Sequence, residues 1–388
     1  MKVENVTRIN LFFLFVFLSI NYLQIEIPRL RSITYLIFVL SLFMFLILLF
    51  FEKKALLPSN DILIFLFLIL IWKLIATSYS PFLTQAIKNI LDFIFISLLS
   101  FFIIPNTINK ENFVKLVHYT VLIICIFSIV GSNFIEPEEY FFRVHGTDIS
   151  LRYTWLFKHP NSVGLHGLLL VLTSIWIFEK RKSFIYLFST LFGILISILA
   201  DSRTSLIVIF IFILIYLLGK PKVFQKTSLK LLLLLYISIT ALLLIWYFID
   251  FLTWENMNRL LSTRLEIWKT LTQSMKNKLV GEGLFLPGEN LVFSVDKNGF
   301  GLDGLFISVF YNEGIIGLSI FISFLILIMI KNYKKNNIFS FYFLVCALIY
   351  SFTESHFFIN NLFTIFVLSM IAYDNNKAIK LKEFQISN

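Results

Sequence analysis

Three short polar clusters interrupt an otherwise apolar chain, and each holds residue types that could handle an anion or a proton. The first is Phe157-Lys158-His159-Pro160-Asn161-Ser162-Val163-Gly164, which opens a long apolar run. Pro160 suits the first turn of a helix, and Asn161 or Ser162 can cap its open amides. Gly164 and Gly167 permit close helix packing. Capping alone accounts for Asn161. It does not account for Lys158, His159 and His166 at one helix end, where amides and basic side chains together would hold an anion. The second cluster is Ala200-Asp201-Ser202-Arg203-Thr204-Ser205, a tight turn with a charge of each sign. Arg203 either pairs locally with Asp201 or grips a phosphate through its planar fork. The third is Glu354-Ser355-His356, followed by Asn360 and Asn361. A carboxylate beside an imidazole can act as general base or bind a sugar, although a lone histidine is more simply a hydrogen-bonded one.

Further candidates lie between these clusters. Met257, Leu260, Leu261, Leu265, Trp268, Leu271 and Met275 recur at spacings of three and four. The stripe predicts an amphipathic helix over 256–278 lying on a membrane surface, with Arg264, Glu266 and Lys269 on or beside its edge. Gly281-Glu282-Gly283 follows and suits a sharp return of the chain. Leu286 takes the third glycine position of a dinucleotide fingerprint and no strand precedes it, so that motif is rejected. Lys73 and Asp92 fall inside apolar runs at similar depth, where a structural ion pair competes with a functional one. The chain has no Asp-x-Asp, no Walker A and no His-Glu-x-x-His. No metal or cofactor is expected, and these absences argue against donor recognition through a nucleotide.

The elements that must position these residues are membrane helices. Of the 388 residues 58% are hydrophobic, with 47 Phe and a mean hydropathy of +0.86. The apolar residues fall in blocks that match the roughly 20 residues needed to cross about 30 Å of hydrocarbon. The ten-residue alternation of a barrel is lacking. Helices are predicted over 9–25, 33–51, 62–77, 90–104, 116–134, 162–178, 184–200, 204–219, 230–250, 303–330 (kinked or partly outside the membrane), 338–352 and 358–373. The fold class expected is all-α: a polytopic transmembrane helix bundle of about twelve helices, a single membrane domain over 1–388. It carries an outer loop at 135–161 with Arg143 and Arg152, and a large extracytoplasmic loop at 251–302 that contains the amphipathic helix.

Charge gives the orientation. The formal net charge is +10, but most basic residues sit in short interhelical loops. The partner they imply is anionic lipid, not nucleic acid. With the N-terminus inside, inner segments hold nineteen of the 33 Lys and Arg, and short outer segments hold seven. The positive-inside rule then puts both termini in the cytoplasm. Lys2 and Arg8 precede a first helix with no small-residue cleavage site, so it is read as retained. Cys125 and Cys346 lie within apolar runs, which argues against a disulfide framework or a zinc site.

Taken together, Phe157 to Gly164, Asp201-Ser202-Arg203-Thr204, Arg264-Leu265-Glu266-Ile267-Trp268 running to Gly281-Glu282-Gly283, and Asn312-Glu313-Gly314-Ile315-Ile316-Gly317-Leu318 resemble the O-antigen polymerase and O-antigen ligase family of bacterial membrane glycosyltransferases. The resemblance covers roughly residues 150–330. It implies a plasma-membrane enzyme with an oligosaccharide substrate on a polyprenyl (undecaprenyl) diphosphate at the outer face. A flippase and a chain-length regulator are the implied protein partners. It further implies that Arg203 and Arg264 neutralise the leaving diphosphate and that Glu354 or His356 takes the acceptor proton. Lys158, His159, Asn161, Arg143, Arg152, Glu266 and Asp303 would then bind substrate. Ligases of the family carry His-Asn where this chain has Asp303-Gly304, which favours the polymerase branch. The alternatives are a ligase of the same family and, from another class, a lipid-linked oligosaccharide flippase, which should show two related halves and a charged path through the bundle.

Overall fold

Residues that are apolar on every side can be buried in lipid only as helices, because a helix satisfies its own backbone. The computed structural model follows that rule. It describes residues 3–20, 22–23, 33–34, 36–43, 46, 54–134, 152–218, 264–284, 304–335, 337–354 and 361–380, and these are mostly helical. In order they form α1 (Val3–Ile20), β1 (Lys54–Leu57), α2 (Asn60–Ser78), α3 (Leu83–Thr107), α4 (Lys110–Ser132), α5 (Pro160–Arg181), α6 (Ile185–Leu199) and α7 (Arg203–Leu218). Then come α8 (Arg264–Ser274), α9 (Leu305–Lys334), α10 (Ile338–Thr353), α11 (Leu362–Asn375) and β2 (Lys377–Lys380). Five helices, α2, α3, α4, α5 and α9, are long and apolar enough to cross a membrane. The described parts of 33–51 are helical, and the helix expected over 230–250 lies outside the described residues.

The central helix is α5, whose residues from Ser162 to Ile177 are all buried. Helices α4, α6 and α7 pack around it. Its contact with α6 is close because Gly167 and Gly193 face each other: a Cβ on either would lie 2.7 Å from the other's carbonyl oxygen. Such small residues let membrane helices approach where no hydrophobic effect drives them together. On the far side α9 packs against α2 and α10, and α11 closes the core with α1 and α4. Large apolar side chains such as Phe67, Phe188 and Phe210 point outward at 62%, 71% and 66% exposure. That pattern suits a lipid surround better than water.

The two ends of the bundle differ. At one end β1 and β2 pair antiparallel, from Lys54 opposite Lys380 to Leu57 opposite Lys377. Asn106 clamps this pair, accepting from the Leu56 amide at 2.7 Å and donating to the Leu56 carbonyl at 2.9 Å. Salt bridges surround it: Lys110–Asp374 and Lys331–Asp61, each at 2.6 Å. This clasp corrects the purely helical expectation. Its strands are only four residues long and carry no alternation that would mark them in sequence.

The other end carries the connections at 79–82, 152–159, 200–202 and 275–284. Here α9 is broken: of the two readings of 303–330, kinked or partly outside the membrane, the structure gives the kink. Gly314 adopts φ 67° and ψ −169°, a conformation that only glycine holds without strain. A break inside a membrane helix orphans backbone groups on both sides, and residues 277–284 satisfy them. Glu282 and Gly283 donate to the carbonyls of Tyr311 and Asn312 at 2.9 and 3.1 Å. Ile315 and Ile316 donate to the carbonyls of Lys278 and Leu279 at 2.9 and 3.2 Å. The Glu313 carbonyl accepts from Trp72 Nε1 at 2.9 Å. Beneath the break, Lys73 pairs with Glu313 at 2.6 Å and donates to Asn89 Oδ1 at 3.1 Å. Lys73 was expected to pair with Asp92. Glu313, 240 residues away along the chain, is the carboxylate that the fold brings to it.

Candidate functional site

The site is built from the N-terminus of α5 upward. His159 is the N-cap, in extended geometry, and its Nδ1 accepts from the Asn161 amide at 3.1 Å. Pro160 follows at the first helical position, where its missing amide hydrogen does no harm. The expectation had been the reverse, with Asn161 or Ser162 as cap and His159 as ligand. The capping imidazole thus commits its Nδ1 to the backbone. Its capping leaves the Asn161 side chain available for tertiary contacts.

Those contacts join three distant segments. Arg152 is 9% exposed. Its Nε donates to the Ala200 carbonyl at 3.2 Å, and its Nη2 donates to the Asp201 carbonyl at 2.8 Å and to Asn161 Oδ1 at 3.2 Å. The Asp201 carboxylate lies 3.9 Å from Arg152 Nε. Asp201 turns its carbonyl to Arg152 by adopting φ 45°, a left-handed conformation costing about 1–3 kcal/mol in a non-glycine residue. Asn161 Nδ2 in turn donates to Glu354 Oε1 at 2.7 Å. Glu354 ends α10 and is 4% exposed. A guanidinium can only donate and an ionised carboxylate only accept, so this orientation of the Asn161 amide satisfies both neighbours. Tyr350, one turn before Glu354, donates its hydroxyl to the Asn161 carbonyl at 3.2 Å.

The remaining candidates are placed as follows. Arg203 begins α7 and is exposed. The local Asp201–Arg203 pair gives way to the Arg152–Asp201 contact. Beside Arg203 a groove of about 410 Å³ runs between α7 and α10, lined by Thr204, Ile207, Leu348, Ile349 and Phe352. Lys158 is exposed, and its backbone amide donates to the Tyr22 carbonyl at 2.8 Å. His166 is no part of an anion cluster. It is buried about two turns inside α5, with Nδ1 2.8 Å from the Ser162 carbonyl and its ring 4.8 Å from that of Phe157. Asn361 caps α11, accepting from the Thr364 amide at 2.8 Å. Arg264 and Glu266 stand in the first turn of α8. Arg143, Asp303 and His356 lie outside the described residues.

Helix α8 differs from the expectation in extent and in what its apolar face meets. It ends at Ser274, because the Glu282 carboxylate draws in the amides of Lys276 and Asn277 and turns the chain there. Leu271 and Met275 pack with Tyr311 of α9, and Trp268 lies edge-on to Phe352 of α10, ring centroids 5.7 Å apart. Trp268, Leu271 and Met275 of the stripe therefore face the bundle and not a membrane surface, while Met257, Leu260 and Leu261 lie outside the described residues. At the same corner the Tyr79 hydroxyl donates to the Val280 carbonyl. Burial, then the charges of Glu313 and Glu282, push its phenol up to about 12, which keeps it a donor.

Sequence reasoning placed Glu354 and Asn161 at the same end of the molecule but not in contact. Asn161 is the second residue of a recognisable helix start, and Glu354 follows a helix with no charge in it. Nothing local links them. Among the described residues no three His, Cys, Asp or Glu side chains gather as a metal site would need. Compared with protein-family models, curated proteins and solved structures, the chain matches none.

Proposed function

We propose that the chain is a polysaccharide polymerase of the bacterial plasma membrane, with about twelve transmembrane helices and the Glu354 end of the bundle on the outer face. It joins oligosaccharide repeats carried on polyprenyl diphosphate into capsule, exopolysaccharide or O-antigen. One observation carries the reading: the segments that bear the resemblance, scattered over residues 157–318, converge at one end of the bundle, the end at which Glu354 is buried. Residues 157–164 meet 201–204 through Arg152 and through the close approach of Gly164 to Ser202. Residues 264–283 fold onto 304–316 and onto the end of α10 beside Glu354.

The chemistry is one displacement. The acceptor sugar hydroxyl attacks the anomeric carbon of the donor as the bond from that carbon to the diphosphate oxygen breaks. The electron pair leaves with the diphosphate, and the hydroxyl proton passes to Glu354. Glu354 is the general base because its carboxylate is buried and oriented by Asn161. Arg203 meets the diphosphate, since it is exposed at the start of α7 beside an apolar groove. Fixed positive charge of this kind stabilises a leaving anion.

Deletion of the gene in its host and gel analysis of the surface glycan test the reading. Single repeats with long polymer lost, restored by the wild-type gene but not by Glu354→Gln at equal protein level, is the expected result. Long polymer retained on the carrier would replace the polymerase with a ligase. Lipid-linked repeats trapped on the inner leaflet would replace it with a flippase.

A further inference from the structure

We infer that Arg152 is a positioning residue which acts on Glu354 through Asn161, and not a ligand of the substrate's phosphates. The inference rests on the polymerase reading and assigns this arginine a role opposite to that expected of a basic residue in an outer loop. An arginine that grips a diphosphate presents its fork to the site. Arg152 instead turns Nε and Nη2 onto two backbone carbonyls, those of Ala200 and Asp201, and onto the Asn161 side-chain oxygen, and is 9% exposed.

The consequence lies in the amide it holds. A primary amide can rotate by half a turn and exchange its oxygen for its NH2 at little cost in shape. Here the guanidinium, which has donors only, fixes the oxygen on its own side. The NH2 must then face Glu354 Oε1, 2.7 Å away. In the opposite orientation the amide oxygen would meet the carboxylate oxygen and repel it. Arg152 and the carboxylate therefore select the same amide orientation, and Arg152, anchored on two backbone carbonyls, fixes where that amide sits and so holds Glu354 in line to receive a proton. The hydroxyl of Tyr350 on the Asn161 carbonyl and the cap from His159 to the Asn161 amide fix the backbone of the same residue. The side-chain torsion is thus the degree of freedom that Arg152 controls. The anchor for Arg152 is itself strained: Asp201 reaches it from φ 45°. A strained backbone that aims one carbonyl at one guanidinium is a device for placing that guanidinium.

Misplacement of a reacting group by about 1 Å lowers turnover roughly 100-fold without weakening substrate binding. A lost phosphate ligand shows instead in KM. The experiment uses purified full-length protein in detergent and the lipid-linked repeat extracted from a polymerase-deficient strain of the same host. Thermal midpoints are read in parallel. For Arg152→Gln, kcat per folded molecule is expected to fall about 10–100-fold, with KM for the donor within about twofold, while loss of its buried hydrogen bonds lowers the thermal midpoint modestly. Asn161→Leu should do the same, and Arg152→Gln/Asn161→Leu should be no worse than Asn161→Leu alone, because both act on one carboxylate. Arg152→Lys, which keeps the charge without the fork, should behave like Arg152→Gln and carries the test if the glutamine variant does not accumulate. A raised KM at retained kcat overturns the inference in favour of a phosphate contact. A multiplicative double variant, or kcat falling only in step with thermal midpoint, overturns it in favour of independent or merely structural roles. Wild-type protein inactive on this donor sinks the polymerase reading and takes the inference with it. Active wild type with a failing variant pattern sinks the inference alone.

Discussion

Two triads at the same end of the bundle use the same three kinds of group in a different order. In one, Lys73 sits in the middle, 3.1 Å from the Asn89 amide oxygen and 2.6 Å from the Glu313 carboxylate. In the other, Asn161 sits in the middle, 3.2 Å from Arg152 and 2.7 Å from Glu354. The order decides what each can do. With the cation central, the charges touch and cancel, which is how a buried ion pair becomes tolerable. With the amide central, the cation acts on the carboxylate only through a hydrogen-bonded dipole, which conveys direction without contact neutralisation. The first triad lies under the break in α9, where residues 277–284 satisfy the interrupted backbone. The second lies where segments of 152–161, 200–203 and 354 meet. One is a lock; the other, under the proposed function, holds the carboxylate that takes the proton.

The sharpest way to break this comparison is to open the lock. Gly314→Val would place a Cβ 2.2 Å from the Leu279 carbonyl oxygen and 2.4 Å from its carbon. Both are backbone atoms and cannot step aside, and φ 67° is itself closed to a β-branched residue. A destabilisation beyond about 4 kcal/mol is expected, read as loss of membrane-inserted protein or a collapsed thermal midpoint. Gly131→Ala is the control, because its Cβ would meet only the movable Leu156 Cδ1 at 2.7 Å. Wild-type accumulation and midpoint for Gly314→Val would mean that the docked segment is not a lock.

A smaller effect should come from the ion pair itself. Lys73→Met leaves Glu313 buried without its cation, and loss of one member of such a pair costs about 3–5 kcal/mol. Replacing both, as Lys73→Met/Glu313→Gln, should recover most of it, since neither charge is then stranded. Thermal unfolding of the three proteins gives the cycle. The comparison requires that whatever Lys73→Met protein does fold makes polymer at the wild-type rate per molecule. Wild-type stability with lost activity would move this pair from the lock to the reaction.

How far the sequence foretold these regions follows from the range of each interaction. The helices were legible because lipid demands long apolar runs, and the kink near Gly314 because glycine interrupts one of them. The amphipathic stripe of α8 was legible too, but its target was not. A stripe shows which side is apolar, and only the fold showed Tyr311 and Phe352 on that side. Lys73 illustrates the harder limit. Its depth suggested the nearby Asp92, whereas Glu313 is 240 residues away and reaches it only because α9 breaks next to α2. Asn161 was misread for the opposite reason. Local capping rules favour asparagine and serine, and they hid both the imidazole that does cap the helix and the tertiary contacts that need the amide.

The smallest expected effect separates Arg203 from both triads. Unlike Arg152, it is exposed at the first turn of α7, and the groove beside it is lined by apolar side chains of α7 and α10. An exposed arginine contributes little to folding, so Arg203→Ala should leave protein level and thermal midpoint as they are. If it meets the leaving diphosphate, its removal should still lower turnover roughly 100–1,000-fold, equivalent to about 2.7–4 kcal/mol of barrier. Arg203→Lys keeps the charge but not the two-point grip, and should lie between the alanine variant and wild type. Chain length on gels, with membrane protein level measured in the same samples, reads both quantities. Arg264→Ala tested alongside shows whether α8 supplies a second cation. Full-length polymer from Arg203→Ala at normal protein level would remove it from the reaction.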